Sequence, residues 1–151
     1  MAMFIGIDPD VSKSGVAKYL PKYERQSFFN SSEQYPALEL FNLSFFDLLD
    51  FLKEKNNSTS IVVIEAGWLN RGNWHKTTGS NSINAQIGQR TGANHEVGKK
   101  IVEMCEYLGL KYELIKPTKS KPDAAYFKRV TGFVGRTNQE QRDAAMLVWG
   151  R

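Results

Sequence analysis

A mixed α/β sheet covered by helices on both faces is the fold class the sequence predicts, from three observations. Met3–Ile7 and Ile61–Ile64 are short apolar runs with the length and composition of buried strands. Apolar residues recur at helical spacing between Leu38 and Leu52 and again between Ile87 and Leu108. Strand-like segments come first and then alternate with helical ones, the order expected of a layered α/β architecture. With 151 residues, 41% hydrophobic and 24% charged, one domain over residues 1–151 is expected, with a core that needs no staples.

Met3–Ile7 contains neither proline nor charge and reads as a central strand. Pro9 ends it, and Gly15 is expected to permit a tight return into Val16–Tyr19, forming a hairpin. A third antiparallel strand is placed within Arg25–Asn30. Pro36 then opens a helix expected to reach about Lys55, because a missing N–H is harmless in the first turn. Leu38, Phe41, Phe45, Leu48, Leu49 and Leu52 form its apolar face, and the polar run Lys53–Ser60 ends it.

Ile61–Ile64 reads as a buried parallel strand that delivers Glu65 to the strand end. Gly67, Gly72 and Gly79 lie in a polar stretch over 67–82 that holds no period, so a substrate loop is expected at 67–83. Ile87, Val97, Ile101, Cys105 and Leu108 mark a helical stripe that stops before Gly109, and Tyr112–Ile115 is the next strand. Ser120 and Asp123 have capping-box spacing for a helix from Lys121 or Pro122 to Val130. Thr137 and Glu140 repeat that spacing before a helix to about Trp149.

Composition narrows the function. The lone Cys105 forms no internal disulfide and no thiol ligand cluster, which favours a reducing, intracellular setting. No run approaches the ~18 apolar residues needed to span a bilayer. The net charge of +4 is unevenly spread: residues 1–66 carry six basic and nine acidic side chains, residues 67–151 fourteen and seven. Such asymmetry suits steering toward a polyanion.

Four acids carry the chemistry. Asp8 and Glu65 each end a predicted buried strand, so side-by-side pairing would bring both to one sheet edge. Glu140 and Asp143 are three residues apart and share a helix face. Gathering four carboxylates concentrates repulsion that two hard divalent ions would offset, since such ions prefer oxygen ligands. Paired ions suit phosphodiester hydrolysis, activating water and stabilising the leaving oxygen. Each acid also has a plain structural reading: Asp8 as a turn cap, Glu65 as a strand-end charge, Glu140 as a satisfier of helix-start amides, Asp143 as a solvated helical acid. Asp10 is read as a spare, solvent-exposed carboxylate.

The segments G-I-D-P-D at Gly6–Asp10, S-K-S-G-V around Gly15, V-V-I-E-A at Val62–Ala66 and E-Q-R-D-A-A at Glu140–Ala145 together resemble the RuvC-like Holliday-junction resolvases. Those enzymes belong to the ribonuclease-H-like nuclease superfamily. The resemblance implies an α/β ribonuclease-H-like five-stranded mixed sheet with helices on both faces. It also implies Mg²⁺ or Mn²⁺, two ions per active site, a homodimer, and cleavage of four-way DNA in the cytoplasm or another intracellular DNA-containing compartment. Its four acidic roles fall on Asp8, Glu65, Glu140 and Asp143 as metal ligands and catalytic residues: Asp8 bridging or directly binding the ions, Glu65 and Asp143 holding them, Glu140 completing a coordination sphere or orienting water. Asp10 stands where the family has glycine, and Glu140 where it often has aspartate.

Beyond the acids, Lys116, Lys119 and Lys121 are candidate phosphate contacts, with Arg71, Lys76 and Arg90 extending the path. Trp68, three residues after Glu65, is a candidate for stacking on an opened base, with loop anchoring as its competitor. Two other functions stay open: a ribonuclease H or other branched-nucleic-acid nuclease with the same acidic core, and a non-catalytic DNA-junction binding module.

Overall fold

The computed structural model describes residues 2–21, 37–56, 59–70 and 80–151. Strands β1 (Ala2–Asp8), β2 (Ser14–Tyr19) and β3 (Leu38–Leu43) precede helix α1 (Phe45–Glu54). Then come β4 (Thr59–Glu65), a 3-10 turn at Gly67–Leu69, α2 (Asn81–Leu108), β5 (Lys111–Ile115), α3 (Ala124–Thr131) and α4 (Gln139–Val148). The five strands form one mixed sheet in the order β3-β2-β1-β4-β5. β1 pairs antiparallel with β2 and β2 antiparallel with β3, whereas β1–β4 and β4–β5 are parallel.

Strand alternation builds two cores. Met3, Ile5 and Ile7 of β1, with Val62 and Ile64 of β4, face Leu48 and Leu52 of α1 and Ile101, Met104 and Cys105 of α2. On the opposite face Val63 packs with Ala144, Ala145 and Val148 of α4 and Phe127 of α3. Because side chains alternate with period two, Asp8 shares the α4 face with Gly6, and Glu65 shares it with Val63. The register Ile7↔Ile64 brings the two acids to the same sheet edge. Among the described residues, no helix is long and apolar enough to cross a membrane.

The helix expected from Pro36 to Lys55 is corrected by the structure. Its first half is β3, and the helix starts only at Phe45, with the Ser44 hydroxyl accepting from the Asp47 amide at 3.3 Å. Leu38 and Leu40 pack toward the α4 face while Phe41 and Leu43 pack toward the α1–α2 face. That is strand alternation, and the ladder with β2 satisfies backbone groups which a helix would have satisfied internally. The strand expected within Arg25–Asn30 lies outside the described residues.

Gly15 is likewise not a turn residue. It sits inside β2 opposite Asp8 and has no positive φ. An added Cβ would overlap the backbone carbonyl of Glu140, and one at Gly6 would overlap that of Ala144. The two glycines therefore let α4 lie directly on the backbones of β1 and β2.

Helix starts shift as well. α2 begins at Asn81 with Ser80 as its cap, earlier than the Ile87 stripe and within the expected substrate loop, of which 71–79 lie outside the described residues. It stops before Gly109 in the left-handed conformation (φ 70°), as the stripe predicts. α3 is capped by Asp123, which accepts from the Tyr126 amide at 2.8 Å, so Ser120 is no cap and Lys121 and Pro122 precede the helix. In α4 the cap is Asn138 with Gln141 reciprocating, one position beyond the Thr137–Glu140 box.

Candidate metal centre

Three acids from three elements meet at the sheet edge. Asp8 ends β1, Glu65 ends β4, and Asp143 lies one turn into α4; each offers a carboxylate oxygen within 4.8 Å of the other two. Strand parity sends the first two toward α4, and the close approach at Gly6 and Gly15 brings the third to them. Glu65 and Asp143 side chains are only 11% and 7% exposed.

Their charges are mutually unfavourable. Burial, then Glu65, Asp143 and Glu140, push the Asp8 carboxyl up to about 8, against an opposing pull from Lys121. Burial and Asp143 also raise Glu65, again against Lys121. The Lys121 ammonium lies 3.1 Å from Glu65 Oε1 and 2.9 Å from Asp143 Oδ2. Although burial alone would lower it, the two carboxylates raise its pKa. The cluster thus draws a cation to itself, and its all-oxygen donor set fits a hard divalent ion.

Asp143 is held from its own helix. Gln139, one turn earlier, donates to Asp143 Oδ1 at 2.8 Å and to the Pro122 carbonyl at 3.2 Å. Arg142 fixes Gln139 in turn, donating to its Oε1 at 3.0 Å and also to the carbonyls of Pro122 and Thr137. Neither residue is marked as a site residue by its type, and the one local signal is the i−4 helical spacing of Gln139 from Asp143. Gln139→Ala is expected to weaken divalent-ion binding about 10- to 100-fold, because outer contacts orient a ligand carboxylate. Isothermal titration with Mn²⁺ measures this, and an unaltered affinity would remove Gln139 from that role.

The fourth predicted acid is placed differently. Glu140, also on α4, is half-buried and contributes to the upward shift of Asp8, but its carboxylate is not among the three that meet. Its backbone carbonyl is the atom that packs over Gly15.

The cluster opens into a cleft of about 540 Å³, with Trp68 on one side and Gly88, Gly92 and His95 of α2 on another. Trp68 also packs against the α1–α2 core, and an added Cβ at Gly98 would overlap its ring. It therefore anchors the turn after Glu65 and lines the cleft. Lys116 and Lys119 are exposed in the segment after β5. Arg71 and Lys76 lie outside the described residues.

Asp10 is not the exposed carboxylate expected. Its side chain is 10% exposed, paired with Arg90 at 3.1 Å, and accepts from the Ser12 amide at 2.8 Å. Asn94 of α2 accepts from the Val11 amide at 2.8 Å beside it. Arg90 is thereby engaged in tying the turn after β1 to α2.

No family model matches the chain, and no curated protein matches it. Among solved structures, T. thermophilus RuvC in complex with a Holliday junction substrate is similar with a TM-score of 0.50 and 12% identity. The match covers 97% of this chain and 90% of that one. The fold is ribonuclease-H-like, of the RuvC type. A further Thermus thermophilus RuvC structure matches over 96% of this chain and 90% of that one, with a TM-score of 0.47 and 12% identity. At the sheet edge of this RuvC-like fold lies the acidic triad, a candidate metal centre.

Proposed function

We propose that the chain is a structure-selective endonuclease that cleaves four-way DNA junctions by two-metal phosphodiester hydrolysis. The observation that carries this is the meeting of Asp8, Glu65 and Asp143 within 4.8 Å on a RuvC-like fold. The similar structure bound to a Holliday junction substrate supports four-way DNA as the substrate class. Mg²⁺ or Mn²⁺, when bound, would supply a more acidic water and offset charge on the leaving oxygen.

In this reading Asp8, Glu65 and Asp143 would hold the ions, and Glu140, close enough to raise Asp8, would orient water or complete a coordination sphere. Gln139 and Arg142 keep Asp143 aimed at the cluster. Lys116 and Lys119, together with Arg71 and Lys76, contact phosphates and position the backbone. Trp68, half-buried in the cleft wall, stacks on an unstacked base. Arg90 serves the site by holding α2 against the turn after Asp8. Paired cuts in opposing strands require two such sites, hence a homodimer.

A cleavage panel tests the reading: four-way DNA, Y-shaped DNA, linear duplex and RNA–DNA hybrid, each with Mg²⁺ or Mn²⁺. Paired cutting of four-way DNA above all others is the expected result. Dominant hybrid cleavage would instead favour a ribonuclease H, and tight junction binding without cutting a non-catalytic binding module.

A further inference from the structure

Lys121 occupies an unusual place for a phosphate-contacting lysine. Its ammonium bridges Glu65 Oε1 and Asp143 Oδ2 rather than pointing away from the acids. The other Asp143 oxygen is taken by the Gln139 amide, so Oδ2 is the oxygen that a cation can share. The lysine belongs to no helix: it precedes Pro122 and the Asp123 cap, and its side chain is 42% exposed on the cleft side.

A divalent ion held by Glu65 and Asp143 would take the same carboxylate oxygens that the ammonium now holds. An ammonium at hydrogen-bond distance from the same oxygens would then face the ion at a few ångströms, with like charges in a partly desolvated site. The two cations are alternatives. We infer that Lys121 is a tethered counter-cation that keeps the carboxylates gathered when no ion is bound and is expelled into the cleft when one binds. Two consequences follow. The metal-free site stays assembled despite its repulsion, and the ion binds more weakly than the bare carboxylates would allow, because part of its affinity goes into displacing the lysine. The inference rests on the metal-nuclease reading of the same cluster.

Two measurements test it apart from cleavage. Isothermal titration of Mn²⁺ into wild type and Lys121→Met is expected to show about tenfold tighter binding by the variant. Its metal-free form is expected to melt at a lower temperature than wild type. In wild type, pulse acetylation read by mass spectrometry is expected to modify Lys121 slowly without metal and faster with Mn²⁺, relative to the exposed Lys53. The labelling needs no variant, so it decides the matter even where Lys121→Met fails to fold. Equal or weaker Mn²⁺ affinity in the variant, or Lys121 labelling that Mn²⁺ leaves unaltered, overturns the inference. Mn²⁺-dependent cleavage alongside unaltered labelling would overturn the counter-cation role and leave the nuclease reading standing. Failure of wild type to bind Mn²⁺ at all would overturn both.

Discussion

In the nuclease proposed above, Asp8→Asn is expected to abolish phosphodiester cleavage, to leave four-way DNA binding nearly intact, and to stabilise the metal-free protein. The loss of cleavage follows from removing one of the three carboxylates that meet at the sheet edge. The gain in stability follows from the same geometry. In the folded, metal-free state Asp8 is pushed up to about 8, chiefly by burial and then by Glu65, from an ordinary 3.8. The folded chain therefore holds a proton there that the unfolded chain releases, and stability falls as pH rises between those two values. Asparagine is neutral throughout and escapes this loss. Linkage puts the advantage of the variant at up to about 4 kcal/mol near pH 7, with almost none below pH 4.

Divalent ions act against that loss. Binding below pH 8 must displace the Asp8 proton, so wild-type affinity is expected to strengthen as pH rises toward 8. Denaturant melts of both proteins from pH 4 to 8 in chelator, repeated with Mg²⁺, check the whole set. Parallel stability curves for wild type and variant would remove Asp8 from the strained position assigned to it.

Gly15→Ala is expected to cost about 3 kcal/mol or more and to weaken divalent-ion binding with it. A methyl group there meets the Glu140 carbonyl and the Gln141 amide, the latter at 2.8 Å, and neither backbone can move without lifting α4. Lifting α4 carries Asp143 away from Asp8 and Glu65. Gly6→Ala should behave alike, since its Cβ would overlap the Ala144 carbonyl. Gly88→Ala and Gly92→Ala are the controls: an added Cβ at either meets nothing within 4 Å. Both lie inside α2, where alanine favours helix by about 1 kcal/mol, so these variants should be as stable as wild type or more so. Chemical denaturation and Mn²⁺ titration of the four variants separate the two classes. A Gly15→Ala protein with wild-type stability would show that α4 does not rest on the strand backbones.

Much of the site can be read from residues alone. The apolar runs before Asp8 and Glu65 identify strands, and their ends identify where the acids emerge. The i, i+3 spacing of Glu140 and Asp143 and the i−4 spacing of Gln139 place all three on neighbouring parts of one helix. The stripe ending at Leu108 and the left-handed glycine after it mark the end of α2. These signals are local, set by side-chain period and by the conformational preferences of a few residues.

Other features turned on partners distant in the chain. Leu38–Leu52 carries apolar residues compatible with one helix, and only the open edge of β2 makes its first part a strand. Asp10 reads as a spare charge until Arg90, 80 residues later, lies beside it. Lys121 reads as a surface base until Asp123 starts α3 late enough to leave it reaching over Glu65 and Asp143. The amino-acid order alone determined which segments are strands around Asp8 and Glu65, and which helix bears the acidic pair. The tertiary structure alone decided that Asp143 rather than Glu140 joins the triad and that a lysine sits over it. Periodicity records which way a side chain faces within its own element, whereas the distance between elements depends on packing, here on two glycines that let a helix touch strand backbone.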